Sequence, residues 1–214
     1  MSWTFNLLTV RGIAIKLHLT FVVILILGGL NWGQEYGLVG FAFGVALMMA
    51  LFTCVTLHEL GHSLAAQYYK IPVREIVLLP IGGVALLGRM PKKPVQELVI
   101  AAAGPLVNVL IAGGLALVGG MGGIFSAIDR EALAQGVVPG PSMATFMGWL
   151  LVANISLVLF NLLPAFPLDG GRMLRAALAL ATNYQNATAI AASVGQTAAV
   201  LLGVFGVLTG QIIL

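Results

Sequence analysis

The sequence predicts an all-α polytopic membrane protein with about six transmembrane segments and a short membrane-associated β-hairpin, and three observations carry that expectation. The 214 residues are 60% hydrophobic and only 8% charged, against roughly 45–50% apolar and about 25% charged in an ordinary soluble domain. Apolar runs recur at lengths near the roughly 20 residues that let a helix cross the hydrocarbon core. Most lysines and arginines fall close to the ends of those runs, where the positive-inside rule places them.

The first run, residues 13 to about 30, follows Arg11, includes Lys16 and lacks a clear small-residue cleavage site. It therefore reads as a retained helix rather than a signal peptide. The polar turn Asn31-Trp32-Gly33-Gln34-Glu35 separates it from a second run, residues 38 to about 65. Residues 68–94 break the pattern: two β-prone stretches, 73–79 and 84–87, flank Pro80-Ile81-Gly82-Gly83 and read as a hairpin. A third segment covers residues 95–118, a Gly/Pro-rich loop with Asp129, Arg130 and Glu131 covers 119–141, and a fourth segment covers 142–163. Prolines and glycines interrupt Pro164-Ala165-Phe166-Pro167-Leu168-Asp169-Gly170-Gly171-Arg172, so no continuous helix passes through it. Residues 173–181 are too short to cross alone at 1.5 Å per residue, whereas 187–214 form a full span.

An N-terminus on the cytoplasmic side puts Arg11, Lys16, Lys70, Arg74, Arg89, Lys92, Lys93, Arg172 and Arg175 inside and leaves only Arg130 outside. The formal net charge of +3 thus belongs to membrane topology, and no nucleic-acid partner is expected. Cys54 is the single cysteine, which excludes an intramolecular disulfide and a thiolate metal cluster. No repeat or linker divides the chain, so residues 1–214 read as one domain.

His58-Glu59-Leu60-Gly61-His62 lies near the end of the second segment. On a helix, residues i and i+4 share a face, so both imidazoles can ligate one zinc ion. Glu59, about 100° further round, stands where water needs a base. The same pattern in a soluble helix can be a solvated face. At membrane depth, however, a charged side chain costs about 2.5–3.5 kcal/mol on the mildest scale, and the cluster needs a compensating cation. A catalytic zinc usually takes three protein ligands, and Asp169 is the natural third: no other acid lies between Glu131 and the C-terminus. Its alternative is to cap the next helix and pair with Arg172.

These residues, together with Pro80-Ile81-Gly82-Gly83, Gly104-Pro105-Leu106-Val107-Asn108 and the stretch from Asn161 to Arg172, resemble the site-2 protease family of intramembrane zinc metalloproteases across nearly the whole chain. The resemblance implies a six-helix core and one zinc per chain held by His58, His62 and Asp169. It also implies Glu59 as general base and a transmembrane protein substrate cut within the lipid bilayer. It points to the minimal prokaryotic branch without a PDZ insertion, in a prokaryotic cell membrane with the site toward the cytoplasm. Members of that branch often carry C-terminal CBS motifs that bind adenine nucleotides. The apolar ending Gly210-Gln211-Ile212-Ile213-Leu214 suggests that a soluble tail followed, and nucleotide binding is expected only with it.

Around Pro80, Ile81, Gly82 and Gly83 the hairpin offers an edge strand for pairing with an extended substrate; its alternative is a loop that only covers the site. Asn161 and Asn108 can each donate to an oxyanion or to substrate backbone, or bond between helices. Cys54, one turn before His58, reads as packing, and His18 as interfacial. Arg172 and Arg175 read as cytoplasmic anchors, with Arg172 also able to orient Asp169. A metal transporter would show dispersed ionisable residues and repeat symmetry, and an inactive relative would lack Glu59 or a ligand. Neither pattern is present.

Overall fold

The computed structural model describes residues 3–80, 82–91, 93–122 and 139–208. Ile81 and the expected loop acids Asp129 and Glu131, with Arg130, lie outside the described residues. The chain opens with β1 (Thr4–Val10) and β2 (Ile13–His18), then α1 (Phe21–Tyr68), β3 (Val73–Leu79), β4 (Gly82–Leu87), α2 (Pro94–Met121), α3 (Met143–Asn161), α4 (Asp169–Leu178) and α5 (Tyr184–Leu208).

The expected first span begins too early in the sequence reading. Residues 13–18 are a strand whose Ile13 and Ile15 are buried while Ala14 and Lys16 are only partly covered, which is the period of two of a half-buried strand. Apolar content alone hid that alternation. Arg11 and Gly12 both take positive φ, 48° and 81°, as a two-residue turn matched to strand twist requires.

The expected two-stranded hairpin is correspondingly half of a larger sheet, ordered β1-β2-β3-β4. β1 and β2 are antiparallel, β2 and β3 are parallel across the α1 crossover, and β3 and β4 are antiparallel with Leu78 opposite Gly83. Ile13, Ile15, Val73, Ile76 and Leu78 of the sheet pack on Ala66 of α1 and Ile100 of α2. The sheet is thereby fixed on the helix ends that carry the site.

Among the described residues four helices, α1, α2, α3 and α5, are long and apolar enough to cross a membrane. This falls short of the expected count of about six: α4 has ten residues, and α1 runs for 48 with a break at Gly37, where φ is 59° and ψ is −143°. Glycine alone takes such a conformation without penalty. The polar stretch 31–35, expected as the turn, is helical. The two arms of α1 fold back on each other, since a side chain at Gly44 would strike the carbonyl of Gly28 and one at Gly40 that of Trp32. Small residues permit such backbone contact in membrane helices. Trp32, Leu47, Cys54 and Leu150 fill the space between the arms and α3.

Candidate metal centre

His58 and His62 stand one turn apart on the second arm of α1, and Asp169 opens α4. All three are buried, at 5%, 6% and 6% exposure. Nε2 of His58 lies 3.1 Å from Nε2 of His62, and both approach Asp169 Oδ2, at 3.2 and 3.1 Å. A tetrahedral zinc with bonds of about 2.0–2.1 Å separates its ligand atoms by about 3.3 Å. The three atoms sit close to that spacing.

The other ring nitrogens decide what the three atoms are. His62 Nδ1 is 2.7 Å from the Ile100 carbonyl, which can only accept, so Nδ1 carries the proton and Nε2 a lone pair. His58 Nδ1 faces Asn108 Oδ1 at 2.5 Å and is a donor in the same way. Two lone pairs and a carboxylate oxygen therefore converge. A shared proton would quiet one of the three contacts, whereas a divalent cation satisfies all of them. The residues fit zinc.

Two glycines make the convergence sterically possible. A Cβ at Gly61 would press on the Ala103 carbonyl of α2, and one at Gly104 would strike Nε2 of both histidines. The first lets α1 and α2 touch through their backbones. The second leaves the cradle into which the imidazoles point.

Asp169 is delivered by the break that the prolines and glycines predict. Leu168 is the extended N-cap of α4, and side chains at Gly170 or Gly171 would collide with backbone atoms of residues 162–166. Asp169 also takes up the alternative partner, since its Oδ1 lies 3.5 Å from Arg172 while Oδ2 faces the histidines. Further along α4, Arg175 donates from Nε at 3.0 Å, and from Nη2, to Glu97 of α2, which is 2% exposed. That clamp ties the helix of Asp169 to the helix whose Ile100 carbonyl holds His62.

The Glu59 side chain reaches the sheet. Its side chain is the first thing a Cβ at Gly83 would meet, so the start of β4 lies against it. Pro80 and Gly82 border the same turn, with Gly82 at φ 135°. Asn161 is not drawn into the cluster; its Nδ2 bonds the Leu157 carbonyl of its own helix at 3.0 Å. His18 bonds Thr20 Oγ1 at 2.7 Å, on the sheet side.

The sequence reading passed over Asn154, Glu97, Gly61 and the role of Gly104. Asn154 and Glu97 did carry a signal, because a strongly polar side chain in an apolar segment is costly unless a partner meets it. The glycines carried none, since only the packing shows what a side chain would hit.

Comparison with known proteins agrees with this geometry. The profile of peptidase family M50 matches residues 46–202. A zinc metalloprotease of Methanocaldococcus jannaschii is 38% identical over 215 residues, covering 100% of this chain and 57% of the relative. Stage IV sporulation protein FB of Bacillus subtilis is 29% identical over 128 residues, covering 59% of this chain and 38% of the relative. The chain spans between 32% and 57% of the length of the curated relatives it matches. The solved structure of the site-2 protease from Methanocaldococcus jannaschii superposes with a TM-score of 0.57 at 35% identity, covering 99% of this chain and 88% of that one. With the family profile spanning the metal cluster and four apolar helices among the described residues, the chain is an integral membrane member of peptidase family M50, the site-2 protease family.

Proposed function

We propose that the chain is an intramembrane zinc metalloendopeptidase that hydrolyses peptide bonds of membrane-spanning protein substrates. The observation that carries this reading is the convergence of two committed imidazole lone pairs and one carboxylate oxygen at 3.1–3.2 Å, with Glu59 next to the first histidine. His58, His62 and Asp169 would hold the metal. When bound, zinc supplies a Lewis acid that polarises the scissile carbonyl and makes water acidic enough to react near neutral pH. Glu59 takes the proton of the attacking water and gives it to the departing amine.

A helical substrate shields its carbonyls and must be extended before it is cut. β4 is the edge of the sheet nearest Glu59, and a substrate segment paired along it satisfies backbone groups that lipid cannot. Gly83 keeps the strand close to the base. In the sequence Lys70, Arg74, Arg89 and Lys93 lie between the segment that carries His58 and His62 and the next apolar segment, and Arg172 follows Asp169, which supports a site that faces the cytoplasm.

The test is zinc content and cleavage of a single-span substrate by detergent-purified protein. Wild type should hold about one zinc per chain and lose cutting to a chelator. Glu59→Gln should retain zinc while cleavage falls about 10²–10⁴-fold, and Asp169→Ala should lose both. Undiminished cleavage by Glu59→Gln would overturn the mechanism.

A further inference from the structure

Behind the metal ligands runs a chain of buried amides whose orientation is dictated from its far end. Asn154 of α3 and Asn108 of α2 are fully buried, at 0% exposure each. Asn154 Nδ2 lies 2.8 Å from the Leu150 carbonyl, which accepts and cannot donate, and reaches Cys54 Sγ at 3.4 Å. Its Oδ1 is therefore the atom turned to Asn108, and as an acceptor it requires Asn108 to present Nδ2, at 2.7 Å. That leaves Asn108 Oδ1 facing His58 Nδ1, and the proton must sit on Nδ1. One backbone carbonyl thus fixes, through two amides, which nitrogen of His58 is bare.

We propose that Asn108 and Asn154 are positioning residues for the metal: together they hold His58 in the Nδ1–H tautomer with Nε2 free to ligate. This rests on the reading of His58, His62 and Asp169 as zinc ligands. Asn108 acts directly on the imidazole. Asn154 acts one step back, by preventing the Asn108 amide from rotating and offering His58 a donor instead of an acceptor. The two histidines are thereby held by different devices, His62 by a backbone carbonyl that cannot turn and His58 by a side-chain amide that must be kept from turning.

The experiment measures the Zn²⁺ dissociation constant of the full chain in detergent, by competition with a chelating indicator, and the visible spectrum of the Co²⁺-loaded protein. Asn108→Leu, alike in branching and side-chain heavy-atom count but without an acceptor, should weaken zinc about tenfold to a hundredfold and alter the cobalt spectrum. Asn108→Asp should bind zinc at least as well as wild type, because a carboxylate accepts Nδ1–H and makes the ligand more basic. A packing role predicts the reverse order, since aspartate would bury a charge among apolar neighbours while leucine would fit.

Asn154→Asp should weaken zinc less than Asn154→Leu, because a carboxyl protonated toward the Leu150 carbonyl keeps its other oxygen as the acceptor for Asn108, and Asn154→Leu should weaken zinc less than Asn108→Leu. This second pair decides the matter if Asn108→Leu does not yield monodisperse protein. Wild-type affinity in both leucine variants, or aspartate variants weaker than the leucine ones, would overturn the proposal. Wild type that binds no zinc would instead sink the ligand assignment on which it rests.

Discussion

The metal cluster stands between two walls built on opposite terms. The inner wall is α1, α2 and α3, where His58, Asn108 and Asn154 are buried and each polar atom in the line from His58 to Leu150 has a fixed partner. The outer wall is the sheet, whose last strand β4 ends at an edge and lays Gly83 against Glu59. In a bilayer a buried polar group must be satisfied internally, and an open strand edge is tolerated only where something else will meet it. On the proposed function, the inner wall is closed so that it can hold a metal, and the outer wall is open for a substrate to complete it.

The sharpest way to break the contrast is to fill the inner wall. Gly104→Val places side-chain atoms where a single Cβ already strikes both Nε2 atoms, so zinc should be lost, and cleavage with it, as read by metal analysis of the purified variant. Retention of stoichiometric zinc would mean that α2 can back away from α1, and that the inner wall is not rigid. The same substitution on the outer wall should act differently. Gly83→Val pushes on Glu59 without touching a ligand, so zinc content should be unchanged while kcat/KM falls about 10²-fold, the order expected when a reacting group is displaced by about 1 Å. Loss of zinc in Gly83→Val would merge the two walls into one.

How much of this was legible in the sequence divides along the same line. His58, His62 and Asp169 could be paired on paper because helical spacing and the scarcity of acids leave few alternatives. Gly83 and its neighbours were legible as a strand turn, though not their contact with Glu59. Asn108 stood out as a membrane amide with two open roles, an oxyanion donor or an interhelical bond; the structure turns its carbonyl oxygen to His58 and its nitrogen to Asn154. Asn154 could not be linked to the site, because 46 residues separate it from Asn108 and only the packing of α3 on α2 joins them. Residues 13–18 misled for a different reason. A strand of Ile, Ala and Leu that runs into an apolar helix has the composition of a span, and its alternation is the weaker signal.

The smallest expected effect tests whether the sheet beyond β4 contributes to the site at all. Lys16 of β2 pairs with Glu75 of β3, and both side chains remain accessible, at 31% and 25%. An ion pair so placed is worth at most about 1 kcal/mol, because water already solvates both charges and holding two long side chains costs entropy. Lys16→Ala should therefore lower the midpoint of thermal unfolding in detergent by no more than about 2–4 °C. Zinc affinity and cleavage should be unchanged, since the neighbouring contacts of Ile13, Ile15 and Ile76 with Ala66 and Ile100, which fix the sheet on the helices, do not involve the pair. A clear drop in cleavage with zinc retained would place the support of the β4 edge as far back as β2, and the outer wall would then be as tightly determined as the inner one.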